Sequence, residues 1–441
     1  MKKIFKKLSL LVLVFLLLLS PFESYKVWAV DLEEGQVLEE EKPQPSPEEL
    51  EAQRQAEIKA EWERQVKKHI NKSPDQLTTA YLVGDFESGK ILEAKNIDDQ
   101  VAIASTSKIL SIFVVLDEIK AGNISKDDLV YIDKDVAKLG GSSYKLKEGE
   151  EVTVDDLIKA ALIVSGNDAV KALAKHLAGS EEVFVEKMKI KLDSLNIDNY
   201  QLINSSGLPN YNIDMQNMMT TRGLFKLTRA FIQDYPEVLQ ITSMAELVNV
   251  DRDFKETNTN PLLKEDLGVD GLKTGYTGLA GRCLVATATK KISSEDQEDL
   301  RLISITMGSE SEAARYVAAK KLLENAMETY AKKKISNPNL AVETVVNDDL
   351  DPREVNIYPK EAFSTIIKTS DFVNYSKEVV DLVPPLKAGQ EVGQITYYLN
   401  GKEVFTTALI IKQDVIESSF LSKLQNLYGR MYMSLFKIFN D

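Results

Sequence analysis

The stretch Ser105-Thr106-Ser107-Lys108, at the head of the apolar run Ile109–Leu116, constrains this chain more than any other. Residues three apart share a face of a helix. Ser105 Oγ and Lys108 Nζ can therefore meet without help from any distant residue. A serine hydroxyl is a poor nucleophile until an adjacent base takes its proton. A lysine is such a base only where burial and nearby positive charge lower its pKa. Ser142-x-x-Lys145 and Ser434-x-x-Lys437 match the same pattern, so context has to choose among the three.

Composition narrows the chemistry. The chain has two histidines, His69 and His176, and one cysteine, Cys283. A disulfide framework within the chain is excluded, and a His/Cys zinc site is not expected. A serine–histidine–aspartate triad would need His69, in a charged tract, or His176, on the helical pattern Asn167–Leu177. Lysine is left as the better base for a serine. The net charge of −14 argues against general nucleic-acid binding. The acidic excess falls near Asp31–Glu63, and both ends are locally basic. The length of 441 residues suggests two or three domains.

The first residues read as a secretion signal. Lys2, Lys3, Lys6 and Lys7 precede the apolar segment Leu8–Leu19, and Val27-Trp28-Ala29 offers a cleavage site after Ala29. The apolar segment is too short for an ordinary membrane span. No cysteine follows it, which excludes lipoprotein processing. The mature protein is expected outside the cytoplasm. Asp31–Lys72, with Pro43, Pro45 and Pro47, reads as a solvated linker or a lone charged helix over Glu48–Lys68.

Globular structure is expected from Leu77. Thr79–Val83 and Lys90–Leu92 pattern as strands around the turn Gly84–Gly89. Lys134–Gly149 reads as a loop, which places Ser142-x-x-Lys145 off a helix. Thr153 and Asp156 cap a helix to about Val164. Ser165-Gly166-Asn167 interrupts it, and a second helix runs to Gly179. Ser180–Leu195 and Thr221–Asp234 are further helices. Asp270–Tyr276 and Arg282–Thr289 read as paired strands, and Leu300–Met307 as another. Ser309 and Glu312 form a capping box for a helix over Glu310–Tyr330. Val342–Ile411 is β-rich, with an Asn400-Gly401 hairpin turn. In Phe420–Phe439 the apolar residues Leu421, Leu424, Tyr428, Met431 and Leu435 share one helical face. Lys423, Arg430 and Lys437 lie on another face, the pattern of a helix lying in a membrane interface.

Ser105-x-x-Lys108, Ser165-Gly166-Asn167 and Lys273-Thr274-Gly275 occur in that order, on a helix start, an interhelical turn and a strand. Together they form the signature of active-site serine penicillin-binding proteins and class A β-lactamases. The chain resembles the low-molecular-mass penicillin-binding proteins that are serine-type D-alanyl-D-alanine carboxypeptidases. Whole phrases carry the resemblance: Ala104–Lys108, Gly141-Ser142-Ser143, Val164–Ala169, Val269–Thr277, Arg301–Ser304 and Pro385–Gln390.

The resemblance implies an α+β fold. An antiparallel sheet flanked by helices, with a helical lobe, is followed by a small all-β domain and a C-terminal amphipathic helix. The implied boundaries are a signal peptide at 1–29, an acidic segment at 30–76, a catalytic domain at 77–334, a β domain at 340–412 and an anchor helix at 414–441. It also implies roles. Ser105 is acylated by the penultimate D-alanine carbonyl, with Lys108 as its base. Ser165 and Asn167 complete a hydrogen-bond network around Lys108, and Ser165 relays a proton to the leaving amine. Lys273 supplies a second positive charge. Thr274 and Arg315 hold the substrate's terminal carboxylate. Gly275 and Tyr276 are substrate-binding positions of the same motif strand, and the backbone N–H groups of Ser105 and Tyr276 form the oxyanion hole. No metal or organic cofactor is implied. The implied partners are peptidoglycan stem peptides ending in D-Ala-D-Ala, β-lactams and the membrane surface, and the implied place is the outer face of the cytoplasmic membrane. Two features depart from the family: Tyr276 stands where histidine is frequent, and the acidic N-terminal segment is not general. A β-lactamase would need a Glu-x-x-Leu-Asn loop between the second and third motifs, and the chain has none. A transpeptidase or endopeptidase, or a wall-binding scaffold with a dead site, are the other readings.

Overall fold

The computed structural model describes residues 46–210, 215–421, 423–424, 428–429 and 431. The expected signal segment, the motif Ser434-x-x-Lys437 and most of the expected anchor helix lie outside these. The chain divides into two units between Ile58 and Lys59. In the first, the described residues open the helix α1, Pro47–His69. Ser46 and Glu49 cap it reciprocally: Glu49 N donates to Ser46 Oγ, and Ser46 N to Glu49 Oε2.

The second unit is built on a five-stranded antiparallel sheet. Its strands are β1 (Ala80–Asp85), β2 (Ile91–Lys95), β3 (Val269–Thr277), β4 (Gly281–Lys290) and β5 (Leu300–Ser309), in the order β3-β4-β5-β1-β2. Side chains alternate across a sheet, and here both faces are covered. Cys283, Val285, Ile303, Ile305 and Met307 enter one core with the helical lobe. Leu284, Ala286, Ala288, Leu300 and Leu302 enter a second core with Leu322, Leu323 and Ala326. Those three lie on α7, Glu312–Thr329.

The helical lobe is inserted between β2 and β3. It contains α2 (Lys108–Lys120), α3 (Val154–Ile163), α4 (Asn167–Ala178), α5 (Glu181–Ser194) and α6 (Thr221–Asp234). Every residue of α2 from Lys108 to Leu116 is buried. An apolar run with no polar face has to be enclosed on all sides, and α3, α4, α5 and α6 all pack against α2.

A second sheet forms the C-terminal β domain: β6 (Glu343–Val346), β7 (Glu354–Pro359), β8 (Val373–Val379), β9 (Glu391–Leu399) and β10 (Lys402–Ile411), ordered β6-β7-β10-β9-β8. Asn400 and Gly401 both have positive φ, 51° and 79°, as a two-residue hairpin turn of this kind demands. Its core centres on Val355, Ile357, Ile395, Leu409 and Ile411. The α+β class read from the sequence is the observed one.

The structure refines several local expectations. The stretch Lys134–Gly149 is not all loop: Lys134–Ala137 is a helical turn capped by Asp133. Helix α7 starts later than expected, with Ser311 as N-cap to Ala314 N, because strand β5 continues through Ser309. Ser309 and Glu312 therefore form no capping box. The segment at Glu48–Lys68 is helical, within Pro47–His69, and its last turns are not solvated. Within the second unit the end of α1 packs on α7: Val66 contacts the cluster of Leu77, Ala314, Val317 and Ala318, and Trp62 meets the edge of Tyr316 at 5.4 Å. His69 is buried against the head of α7, its ring nitrogen 3.7 Å from Glu310. Trp62, Val66 and His69 recur at helical spacing, a narrow stripe that the surrounding charge obscures. Strand pairing also runs past 412, since Val415 bridges Leu386 and Ile416–Glu417 pairs with Leu350–Asp351.

Candidate active site

Ser105 sits on a single 3₁₀ turn, Ala104–Ser107, that leads into α2. The turn is tied at several points. Thr106 Oγ1 donates to Ile103 O at 2.6 Å, and Ser107 Oγ to Ala104 O at 2.7 Å. Asn217 Nδ2 reaches Ser107 Oγ at 3.0 Å, and Ile103 N donates to Asn217 O. Ala104 takes a positive φ of 45°, a conformation an alanine adopts only where its surroundings enforce it. Gly207 leaves room for this turn: its φ is +79°, and a Cβ there would lie 1.8 Å from Ala104 O.

Lys108 Nζ lies 2.9 Å from Ser105 Oγ, 2.7 Å from Asn167 Oδ1 and 2.9 Å from Ser206 O. The lysine is fully buried. Its pKa is held well below the usual lysine value, first by burial and second by the charge of Lys273, with Asp168 opposing. A neutral amine has two N–H donors and one lone pair. Asn167 Oδ1 and Ser206 O can take the donors, which leaves the lone pair facing the Ser105 hydroxyl. Burial outranks the second lysine as the cause.

Asn167 opens α4 and also braces the opposite wall, its Nδ2 donating to Gly140 O and its N to Ser142 O. Asp168 stitches that wall in place, accepting from Ser143 Oγ, Tyr144 N and Leu146 N. Ser142, of the competing motif, thus lines the cavity from a loop, while Lys145 turns away to Glu256. Ser165, at φ +65°, lines the cavity too. The partners of Lys108, however, are Ser105, Asn167 and the Ser206 carbonyl, where the sequence reading expected Ser165.

Strand β3 closes the other side. A Cβ on Gly275 would come 3.1 Å from Ser105 N and 3.2 Å from Ile103 O, so the backbone of β3 lies directly on the serine turn. Lys273 is buried, with Nζ donating to Thr274 O at 3.0 Å. Burial, and then the charge of Arg315, bring its pKa down to about 7. Thr274 Oγ1 donates to Thr259 Oγ1 at 2.7 Å. Arg315 is buried on α7, paired with Glu312 and donating to Cys283 O. The ring of Tyr276 is exposed, with the Arg282 guanidinium 3.6 Å from its centroid.

Ser105, Ser165, Asn167, Thr274, Tyr276 and Arg315 line one cavity of about 390 Å³, together with Thr259, Arg282 and Glu312. Sequence reasoning missed Ser206, Asn217, Thr259, Arg282 and Glu312. The first two act through backbone carbonyls or brace a turn, which leaves no pattern in the sequence. Arg282 could have been found, as the residue opposite Tyr276 across a β3–β4 hairpin.

The arrangement can transfer an acyl group to Ser105. It joins a hydroxyl, a buried amine whose pKa is held low, and a cavity whose far end carries hydroxyls and guanidinium groups suited to a carboxylate. A fold and a site of this kind define a serine hydrolase with a buried lysine beside the serine. Comparison with known proteins is consistent with that class. Residues 67–311 match the family model described as D-alanyl-D-alanine carboxypeptidase, and residues 330–417 that of the penicillin-binding protein 5 C-terminal domain. The chain is 34% identical to the D-alanyl-D-alanine carboxypeptidase DacC of Escherichia coli, over 80% of this chain and 87% of that one. It is 30% identical to DacF of Bacillus subtilis, over 78% and 87%. Among solved structures, penicillin binding protein 5 from Haemophilus influenzae matches with a TM-score of 0.59 and 30% identity, over 77% of this chain and 98% of that one. The chain belongs to the D-alanyl-D-alanine carboxypeptidase family.

Proposed function

We propose that this protein is an exported carboxypeptidase that removes the terminal D-alanine from peptidoglycan stem peptides through an acyl-enzyme on Ser105. The observation that carries the reading is the buried Lys108 amine, with partners for both its N–H donors and Ser105 Oγ at 2.9 Å. Ser105 Oγ attacks the penultimate carbonyl as its proton passes to Lys108. The negative charge on the carbonyl oxygen is taken by the backbone N–H groups of Ser105 and Tyr276. Losing one such donor typically costs about 100- to 1,000-fold in rate. The C–N bond breaks, the proton passes to the leaving amine by way of Ser165, and D-alanine departs. Water then cleaves the ester. Thr274 and Arg315 hold the terminal carboxylate, and Lys273 adds positive charge while protonated. β-Lactams follow the same first step and remain as acyl groups on Ser105. One similar structure, penicillin-binding protein D2 from Listeria monocytogenes, is described in an ampicillin-bound form.

The test is incubation with a peptide ending in D-Ala-D-Ala, with mass spectrometry of the products. Loss of one D-alanine is expected. Cleavage only between cross-linked peptides would make the protein an endopeptidase, and an intact peptide would leave a scaffold.

The C-terminal segment is proposed to rest on the membrane surface. Phe420, Leu421, Leu424, Tyr428 and Met431 are exposed apolar residues on helical positions, and Lys423 is paired with Asp349 of the β domain. Among the described residues no helix is long and apolar enough to cross a membrane, which an interfacial helix does not require. Deleting Phe420–Asp441 is expected to leave D-alanine release unchanged and to abolish co-sedimentation with anionic vesicles. A truncated protein that still sediments would refute the anchor.

A further inference from the structure

The subsite offered to a substrate carboxylate already contains a carboxylate. Glu312 lines the cavity beside Arg315 and Arg282. One of its oxygens pairs with Arg315 Nη2, and the other lies 2.7 Å from Arg282 Nη1. Arg282 is held in turn on the face of the Tyr276 ring, its direct cross-strand neighbour. Glu312 is the first residue of α7, so Ser311 as N-cap fixes its position.

Charge counting gives this group a purpose. Arg315 with Glu312 alone is neutral and offers a carboxylate little net attraction. Arg282 restores one positive charge. Two guanidinium groups and one carboxylate sum to +1, which a single incoming carboxylate cancels. Lys273, the remaining cation close to Arg315, is buried and carries a proton only partially near neutral pH.

We propose that Arg282 is a specificity-determining residue: by sharing Glu312 with Arg315 it holds the subsite at one net positive charge and selects substrates whose last residue carries one carboxylate and no second acid. This rests on the carboxypeptidase reading above. As the substrate carboxylate engages Arg315, Glu312 moves its pairing to Arg282, and no charge is left unpaired. Tyr276 serves as the platform that keeps the Arg282 guanidinium in place. A family member with histidine at the position of Tyr276 would lack that phenol platform.

The experiment is steady-state D-alanine release from a peptide ending in D-Ala-D-Ala, at low salt, with four variants. Arg282→Gln is expected to raise KM about five- to tenfold, the scale of one partly screened charge, with kcat within about twofold of wild type. Glu312→Gln is expected to lower KM and to weaken discrimination against a C-terminal D-glutamate. The double variant Arg282→Gln/Glu312→Gln returns to a net charge of +1 and is expected to return KM close to wild type. Arg282→Lys keeps the charge and is expected to keep KM. A double variant no better than Arg282→Gln overturns the proposal, as does a rise in KM with Glu312→Gln or an effect confined to kcat. The same variants are ranked by their rate of acylation with a penicillin, which carries one carboxylate. If wild type releases no D-alanine yet the acylation rates keep this order, the carboxypeptidase reading fails and the charge count stands.

Discussion

Ser105→Ala is expected to lower D-alanine release by about 10⁴-fold or more and to abolish covalent labelling by β-lactams. Removing a nucleophile that acts as a unit with its base costs about as much as removing the whole unit. The fold should not suffer. The Ser105 hydroxyl faces Lys108, whose other partners, Asn167 and Ser206, are untouched by the substitution. The measurement pairs the rate of D-alanine release with the intact mass of the protein after exposure to a penicillin. A variant that still gains the mass of the drug, or still releases D-alanine at a tenth of the wild-type rate, would move the nucleophile elsewhere in the cavity. Ser142 and Ser165 are the other serines that line the cavity.

Lys108→Met is expected to lower kcat by about 10²- to 10⁴-fold, the usual worth of a general base, with a smaller change in KM. The side chains are similar in length, so the helix packing around α2 should persist. Two opposing terms act on stability. The Ser206 carbonyl and Asn167 Oδ1 lose a donor, at about 1–3 kcal/mol each. Against this, a buried amine no longer has to surrender its proton on folding. The second term has a measurable sign. The lysine pKa is lowered in the folded state, so the unfolded chain binds more protons, and stability rises with pH. For Lys273 that window runs from about 7 to 10.5. Lys108 acts in the same direction with its own lowered value. Urea denaturation across the alkaline range should therefore show wild-type stability climbing with pH, and a flatter climb in Lys108→Met. An unchanged slope would mean that Lys108 is protonated in the folded protein and cannot be the base.

The fold class was legible because its signals are periodic or local. The apolar run after Lys108 demands enclosure, Thr153 is a helix cap, and Asn400-Gly401 is a turn with one common geometry. Among the site residues named from sequence, the structure gathers Ser105, Ser165, Asn167, Thr274, Gly275, Tyr276 and Arg315 around one cavity, with Lys108 and Lys273 buried in the protein beside it. What escaped is relational. The carbonyl of Ser206 contributes no side chain to read. Glu312 carried a plausible capping pattern, which was overridden when β5 ran on through Ser309. The docking of α1 on α7 depends on one stripe of Trp62, Val66 and His69 in a segment whose average character is that of a solvated helix. Long-range packing decides such cases, and composition averages it away.

The hydrogen bonds of Lys108 span separations of 3, 59 and 98 residues along the chain. No fragment shorter than Ser105–Ser206 holds all three, and the β3 wall arrives later still. Reactivity of Ser105 is consequently an all-or-none property of the assembled domain. A fluorescent penicillin would work on this protein as a folding reporter, lighting up only molecules in which the two lobes have closed on each other. Refolding followed by that label, and by helix content in parallel, would separate formation of the lobe from its docking on the sheet.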